Sequence, residues 1–229
     1  MRRWACALPL LVVAACSGLD EGEGGVVALE LETPEFLEIE VGEQVELVAR
    51  ALDADGELVD VGISWRSSSD AVTVDGAGIV TGAQPGDADV QAAVGSLASE
   101  PLDFTVQASA DTLIVVGDSV LVIPIGADPP VTAGMTVRLE SLTLPGPAES
   151  RPVIFEITSP PAGTAPVVQL LGGAQGDTVL TATDGTATVT LEAVPGQVPP
   201  DTAIVEVRAE RLRGAAVPGS GQHFYVLFQ

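Results

Sequence analysis

The sequence predicts an all-β chain folded as two tandem β-sandwich domains, and three observations lead there. Apolar and polar residues alternate in short runs, as in Val27-Ala28-Leu29-Glu30-Leu31-Glu32 and Leu37-Glu38-Ile39-Glu40-Val41. That is the period of a strand with one buried and one wet face. Such runs recur about every eight to twelve residues, the spacing of a sandwich, and Gly and Pro scattered without period supply the turns. Finally, 46% of the 229 residues are hydrophobic, mostly Val, Ala and Leu, enough to build cores in two domains of ordinary size.

In chain order, the first element is an address. Met1-Arg2-Arg3 is a short positive region, followed by an apolar stretch from Trp4 to Ala15 broken only by Pro9. A dozen apolar residues are too few to cross a hydrocarbon core of about 30 Å as a helix, so residues 1–15 read as a signal segment. The stretch ends in Val13-Ala14-Ala15-Cys16, which resembles the lipobox of bacterial lipoprotein precursors. The resemblance implies cleavage after Ala15 and acylation of the Cys16 thiol. The acyl chains would hold the protein to a lipid bilayer at roughly 0.8 kcal/mol per buried CH₂. An ordinary secretory signal cut near Ala15 is the alternative, leaving Cys16 a free thiol. The other cysteine, Cys6, would leave with the signal, so no disulfide or thiolate metal site is expected in the folded body. Residues 16–25, rich in Gly and acid, read as the lipidated Cys and a flexible tether. Ser17 directly after the Cys resembles outer-membrane cargo, so the expected location is the envelope, at the outer membrane or cell surface.

Residues 26–107 read as the first domain. Beyond the two runs already quoted, Val45-Glu46-Leu47-Val48-Ala49 alternates as a third strand, and Thr33-Pro34, Asp55-Gly56, Asp75-Gly76 and Pro85-Gly86 mark turns. The series Val41-Gly42-Glu43-Gln44-Val45-Glu46-Leu47, Ile63-Ser64-Trp65-Arg66-Ser67-Ser68, Val72-Thr73-Val74-Asp75-Gly76, Gly78-Ile79-Val80-Thr81-Gly82 and Pro85-Gly86-Asp87-Ala88-Asp89-Val90 closely resembles group 2 bacterial immunoglobulin-like domains. That resemblance implies a small two-sheet immunoglobulin-like sandwich. Trp65 is expected on a central strand with its ring between the sheets, the keystone of a core that has no disulfide.

Residues 108–229 read as the second domain. It follows Thr105-Val106-Gln107-Ala108-Ser109-Ala110 with almost no linker, so the two domains are expected to stack end to end with limited hinge freedom. Strand-like runs cover 112–116, 120–125, 135–139, 153–158, 179–183, 186–191, 203–208 and 224–228. Asp128-Pro129-Pro130 and Ser159-Pro160-Pro161 cannot continue a central strand. The turn and strand Thr183-Asp184-Gly185-Thr186-Ala187-Thr188-Val189-Thr190-Leu191, with Arg151-Pro152-Val153-Ile154-Phe155-Glu156-Ile157, resemble group 1 bacterial immunoglobulin-like domains of invasin- and intimin-type surface proteins. The Gly-x-Pro-Val turn usual in that family is replaced by Pro147-Ala148-Glu149-Ser150-Arg151-Pro152.

Charge excludes some partners. Nine basic residues, all Arg, face 32 acidic ones for a net charge of −23, so a phosphate backbone would be repelled and no nucleic acid is expected. Without Lys there is no phosphate loop of the Gly-rich type with its lysine, and without a Gly-x-Ser-x-Gly elbow the single His223 has no presented nucleophile to activate. Neither catalytic nor cofactor-binding nor metal-binding residues are assigned. The carboxylates mostly alternate with apolar positions and read as the wet faces of strands. The loop Asp53-Ala54-Asp55-Gly56-Glu57, with Asp60 nearby, has the oxygen-rich composition of a calcium loop without its twelve-residue ligand series; a plain Asp-Gly hairpin turn explains it as well.

The function expected from all this is a non-enzymatic, lipid-anchored structural or binding module, adhesion included, with an unknown protein or glycan as ligand. The alternatives are an accessory scaffold of an envelope or polysaccharide-handling complex, and, last, a hydrolase with an unrecognised carboxylate site.

Overall fold

Alternating Val, Ile and Thr favour a pleated backbone that buries every second side chain, and a computed structural model shows strands throughout. It describes residues 25–126, 132–161 and 166–229. The expected signal segment, Cys16, nearly all of the tether and the Asp128-Pro129-Pro130 joint lie outside the described residues.

The first ten strands are β1 (Ala28–Leu31), β2 (Glu38–Glu40), β3 (Gln44–Glu46), β4 (Ala49–Leu52), β5 (Ser64–Ser67), β6 (Val72–Val74), β7 (Ile79–Gly82), β8 (Gly86–Val94), β9 (Leu97–Ala98) and β10 (Leu102–Gln107). Two main sheets face each other, β2-β10-β8-β5 and β3-β7-β6, with β1 paired to β4 and β9 to β8. The next ten are β11 (Thr112–Val116), β12 (Val120–Ile123), β13 (Ala133–Ser141), β14 (Gly146–Pro147), β15 (Pro152–Ser159), β16 (Val168–Leu170), β17 (Gly176–Leu180), β18 (Thr186–Ala193), β19 (Thr202–Ala209) and β20 (Gln222–Phe228). They form β11-β13-β18-β16, with β14 on β13, against β12-β20-β19-β15-β17. Both units share one plan. The first strand pairs antiparallel with the B-type strand (β1 with β4, β11 with β13), then the chain crosses to the opposite sheet and pairs parallel with the last strand (β2 with β10, β12 with β20). The chain is therefore two tandem immunoglobulin-like β-sandwiches.

Their cores differ. In the second unit Leu113, Met135, Leu139, Phe155, Leu191 and Phe224 belong to one continuous buried cluster. In the first, a cluster around Ile39, Leu47, Val80, Val90 and Phe104 is separate from a small one of Val26, Ala51 and Val94.

Two expectations need correction. Trp65 is on β5, which among the described residues pairs only with β8 and so ends its sheet rather than lying at its centre. Its ring still reaches the facing sheet and packs on the cluster of Phe104, but it is half-buried. Gly78 makes room for it: a Cβ there would lie 2.8 Å from the indole, and the residue has φ +85°. The expected single strand over Val45–Ala49 is broken in two, because β3 pairs with β7 whereas β4 leaves at Ala49 to pair with β1. Alternation persists through the break, so sequence periodicity does not register the change of partner.

Candidate functional site

The most unusual chemistry lies where the two sandwiches meet. Glu40 ends β2, and period two alone would put its side chain in water beside that of Glu38. Instead it is 0% exposed. Opposite it is Arg151, which begins the approach to β15 and is 1% exposed. The Arg151 guanidinium donates from Nη2 to Glu40 Oε1 and from Nη1 to Gln107 Oε1 (2.5 Å), so it bridges the ends of both β2 and β10. The backbone N–H of Leu212 adds a second donor to Glu40 Oε1 at 3.1 Å.

Arg151 is aimed by its backbone. Ser150 has φ 58°, the left-handed region that a residue with a Cβ seldom adopts and that persists only where surroundings fix it. Here Thr181 does the fixing. Its carbonyl accepts from Ser150 N (3.0 Å), its hydroxyl accepts from Arg151 N (2.9 Å), and its own N–H donates to the Arg151 carbonyl (2.9 Å). The hydroxyl in turn donates to the Ala148 carbonyl at 2.6 Å.

A second layer comes from the turn between β19 and β20. Arg211 lies between two carboxylates, 2.5 Å from Asp111 Oδ1 and 3.6 Å from Glu40 Oε2. Arg213 reaches across to the first domain, donating to the Glu38 carbonyl at 3.0 Å, lying 3.6 Å from the Glu43 carboxylate, and stacking 3.8 Å above the Phe36 ring. Glu43 also accepts from the backbone N–H of Glu40 at 2.8 Å. On the second-domain side, Asp111 Oδ2 accepts from the Ser109 hydroxyl (2.7 Å) and from the N–H groups of Leu142 (2.7 Å) and Thr143 (3.1 Å). Burial alone would raise the Asp111 pKa. The hydrogen bonds from Ser109, Leu142 and Thr143, with the charge of Arg211, outweigh it and hold the carboxyl at about 2.

The loops touch as well as the charges. Gly42, at φ +87°, sits so near Thr143 that a Cβ would lie 3.0 Å from its methyl group. In chemical terms this is a clamp, because Glu40, Glu43 and Asp111 are each paired with an arginine. A desolvated pair is held only when its geometry is good, and removing one partner strands the other charge at a cost of about 3–5 kcal/mol.

The expectation that the carboxylates form wet strand faces thus fails at Glu40, which the domain contact buries, while Asp111 is buried by partners of its own domain. The signal that could have marked this place is scarcity: in so acidic a chain, Arg211-Leu212-Arg213 is a concentrated pair of cations. The other singled-out residues lie elsewhere. Asp53 Oδ1 accepts from the N–H groups of Asp55 and Glu57, each at 2.9 Å, as a hairpin turn requires. His223 is exposed on β20, opposite Glu206 and 6.4 Å ring to ring from Tyr225. Phe104, Phe155, Phe224 and Phe228 are core residues, while Phe36 carries Arg213.

No family model matches the chain, and no curated protein matches it. Among solved structures it is similar to the Yersinia pseudotuberculosis adhesin InvE, at 18% identity over 91% of this chain and 61% of that one, with a TM-score of 0.49. It is also similar to the Escherichia coli adhesin FdeC, at 15% identity over 86% and 63%, with a TM-score of 0.48. The D0-D1 domain of intimin gives 16% identity over 88% and 98%, with a TM-score of 0.32. The chain spans less than two thirds of the length of the first two, and the assignment to immunoglobulin-like sandwiches rests on its own strand pairing.

Proposed function

We propose that the chain is a lipid-anchored module of the bacterial cell envelope that holds two immunoglobulin-like sandwiches as one stiff unit and binds a protein or glycan, without catalysis. The observation that carries this reading is the buried Glu40–Arg151 pair with Gln107, Arg211 and Asp111 around it. A covalent linker only a few residues long restricts two domains; a desolvated ion pair across their ends fixes their angle. Stiffness suits a part that must carry a binding surface away from a bilayer. The first sandwich is taken as a group 2 and the second as a group 1 bacterial immunoglobulin-like domain, on the motifs quoted above, and Cys16 as the acylated anchor.

Two measurements test the proposal. Mass spectrometry of the N-terminal peptide from native membranes is expected to find Cys16 acylated, and Cys16→Ser should shift the protein to the soluble fraction; an unmodified, soluble wild-type chain overturns the anchoring. Small-angle scattering of the chain lacking its signal should fit one rigid particle, with the distribution broadened by Arg151→Ala. A wild-type profile that needs a mixture of domain angles overturns the stiffness.

A further inference from the structure

Internal symmetry exposes a difference between two equivalent strands. Gln107 pairs with Glu40 and its carbonyl accepts from Val41 N, just as the Gln229 carbonyl accepts from Ile125 N. This aligns Glu38 with Val122, Glu40 with Pro124, Val41 with Ile125, and Gly42 with Gly126; both glycines have positive φ. On β2 the backbone groups pointing away from β10 are engaged, the Glu38 carbonyl by Arg213 and the Glu40 N–H by Glu43. Glu40 at the end of that strand is covered by Arg151 and Leu212 of the second domain, and the following Val41, 6% exposed, is taken into the core of its own domain.

The matching strand β12 has no such cover among the described residues. Its ladder to β20 uses alternate positions: the Ser119 carbonyl accepts from Tyr225 N, the Ile123 carbonyl from Gln229 N, and Ile125 N donates to Gln229. The N–H and C=O groups of Val120 and Val122 therefore point away from β20, along an edge where β12 pairs with no other strand. The side chains beside them are apolar and open to solvent, Val120 at 53%, Val122 at 51% and Ile125 at 59%. No charged residue occurs from Ser119 to Gly126. Natural edges of this kind are normally blunted by charge, as β2 is by Glu38, β5 by Arg66 and β17 by Asp177. Where β12 ends, a cavity of about 300 Å³ opens, lined by Ile123, Pro124, Ile125, Val194, Pro199 and Phe228, with Glu192 as its charged member.

We propose that the β12 edge and this cavity form a strand-addition site for an extended apolar segment of another polypeptide, flanked by basic residues. Backbone groups of the incoming strand pair with Val120 and Val122, and one of its side chains fills the cavity, the division between affinity and specificity usual for strand addition. Charge selects the occupant. A second copy also carries −23 and is repelled, whereas a cationic flank meets Glu192 at the cavity and Asp118 before the strand. The proposal deepens the binding reading by naming its surface and partner.

The test uses the chain lacking its signal and two synthetic peptides of alternating valine and threonine, one with lysine at each end and one with glutamate. The lysine peptide should bind and slow amide exchange at Val120 and Val122, and the glutamate peptide should bind at least tenfold more weakly. Val122→Pro removes one outward donor on an edge that tolerates proline and should weaken the lysine peptide about tenfold, the loss of roughly one hydrogen bond. Exchange on the wild-type protein decides the matter if that variant fails to fold. Absence of binding at millimolar peptide, binding without protection at these two amides, or self-association of the chain that Val122→Pro abolishes each overturns the proposal. None of those outcomes touches Cys16 acylation or the rigid scattering profile, so the strand-addition site and the anchored rod fail separately.

Discussion

In the second domain β13 runs unbroken over Ala133–Ser141 and pairs with β11 and β18 along its length; in the first, the equivalent strand is split into β3 and β4, which join different partners. The cores follow the strands. The second holds Phe155, Phe224 and Phe228 in one cluster, whereas the first has Phe104 in one cluster, a half-buried Trp65 beside it, and Val26, Ala51 and Val94 apart. Continuity of a strand is what lets alternate side chains form one surface. Where it breaks, apolar area is divided between smaller clusters. The first domain is therefore expected to be the weaker partner, with the ion-paired joint at its Glu40 end tying its stability to its neighbour.

Breaking the joint should have the largest effect. Arg151→Ala leaves the buried Glu40 with only the more distant Arg211 and the Leu212 N–H as partners, at a cost of about 3 kcal/mol, the low end for a broken buried pair. Differential scanning calorimetry should show a first-domain transition splitting off below that of the second; one unchanged transition would mean the domains do not share stability. Trp65→Ala sharpens the same contrast from within. Its cost is about 3 kcal/mol, at the low end for a large core ring because the indole is only partly buried, and it should fall on the first-domain transition alone.

Acid titrates the joint from the other side. The folded pKa of Asp111, about 2, lies below its ordinary value of 3.8, so the unfolded chain binds the proton more readily. Its stabilisation is full above about pH 4 and is lost as pH falls through 2, on the order of 2 kcal/mol. Denaturant melts across that window should be flatter for Asp111→Asn than for wild type, with the variant already weaker at neutral pH. Gly42→Ala is the gentlest probe. It places a Cβ at positive φ against the Thr143 methyl group, at about 1 kcal/mol, and a melting midpoint equal to wild type would show that the loop yields freely.

Much of the strand plan is legible in the sequence because period two survives in runs such as Val153-Ile154-Phe155-Glu156-Ile157 and Ala203-Ile204-Val205-Glu206-Val207. The three-residue β16 (Val168–Leu170) is too short to show a period, and the partner change at Leu47-Val48 leaves none of its own. The joint is hidden for a different reason. Glu40 obeys the alternation of an exposed position, and Arg151 lies in a proline-flanked turn 111 residues away. Local pattern says which face of a strand a side chain occupies; only the neighbouring domain decides whether that face is wet.

In each sandwich the entering strand runs parallel to the leaving one, β2 beside β10 and β12 beside β20. Tension applied between the N-terminal and C-terminal sides of the pair would thus slide those strands past each other. The cross-links between them would be strained together rather than peeled one after another, and rupture would be slow, as resistance to forced unfolding is set by the unfolding rate. Such a molecule would hold under pull much longer than its modest, divided first core suggests.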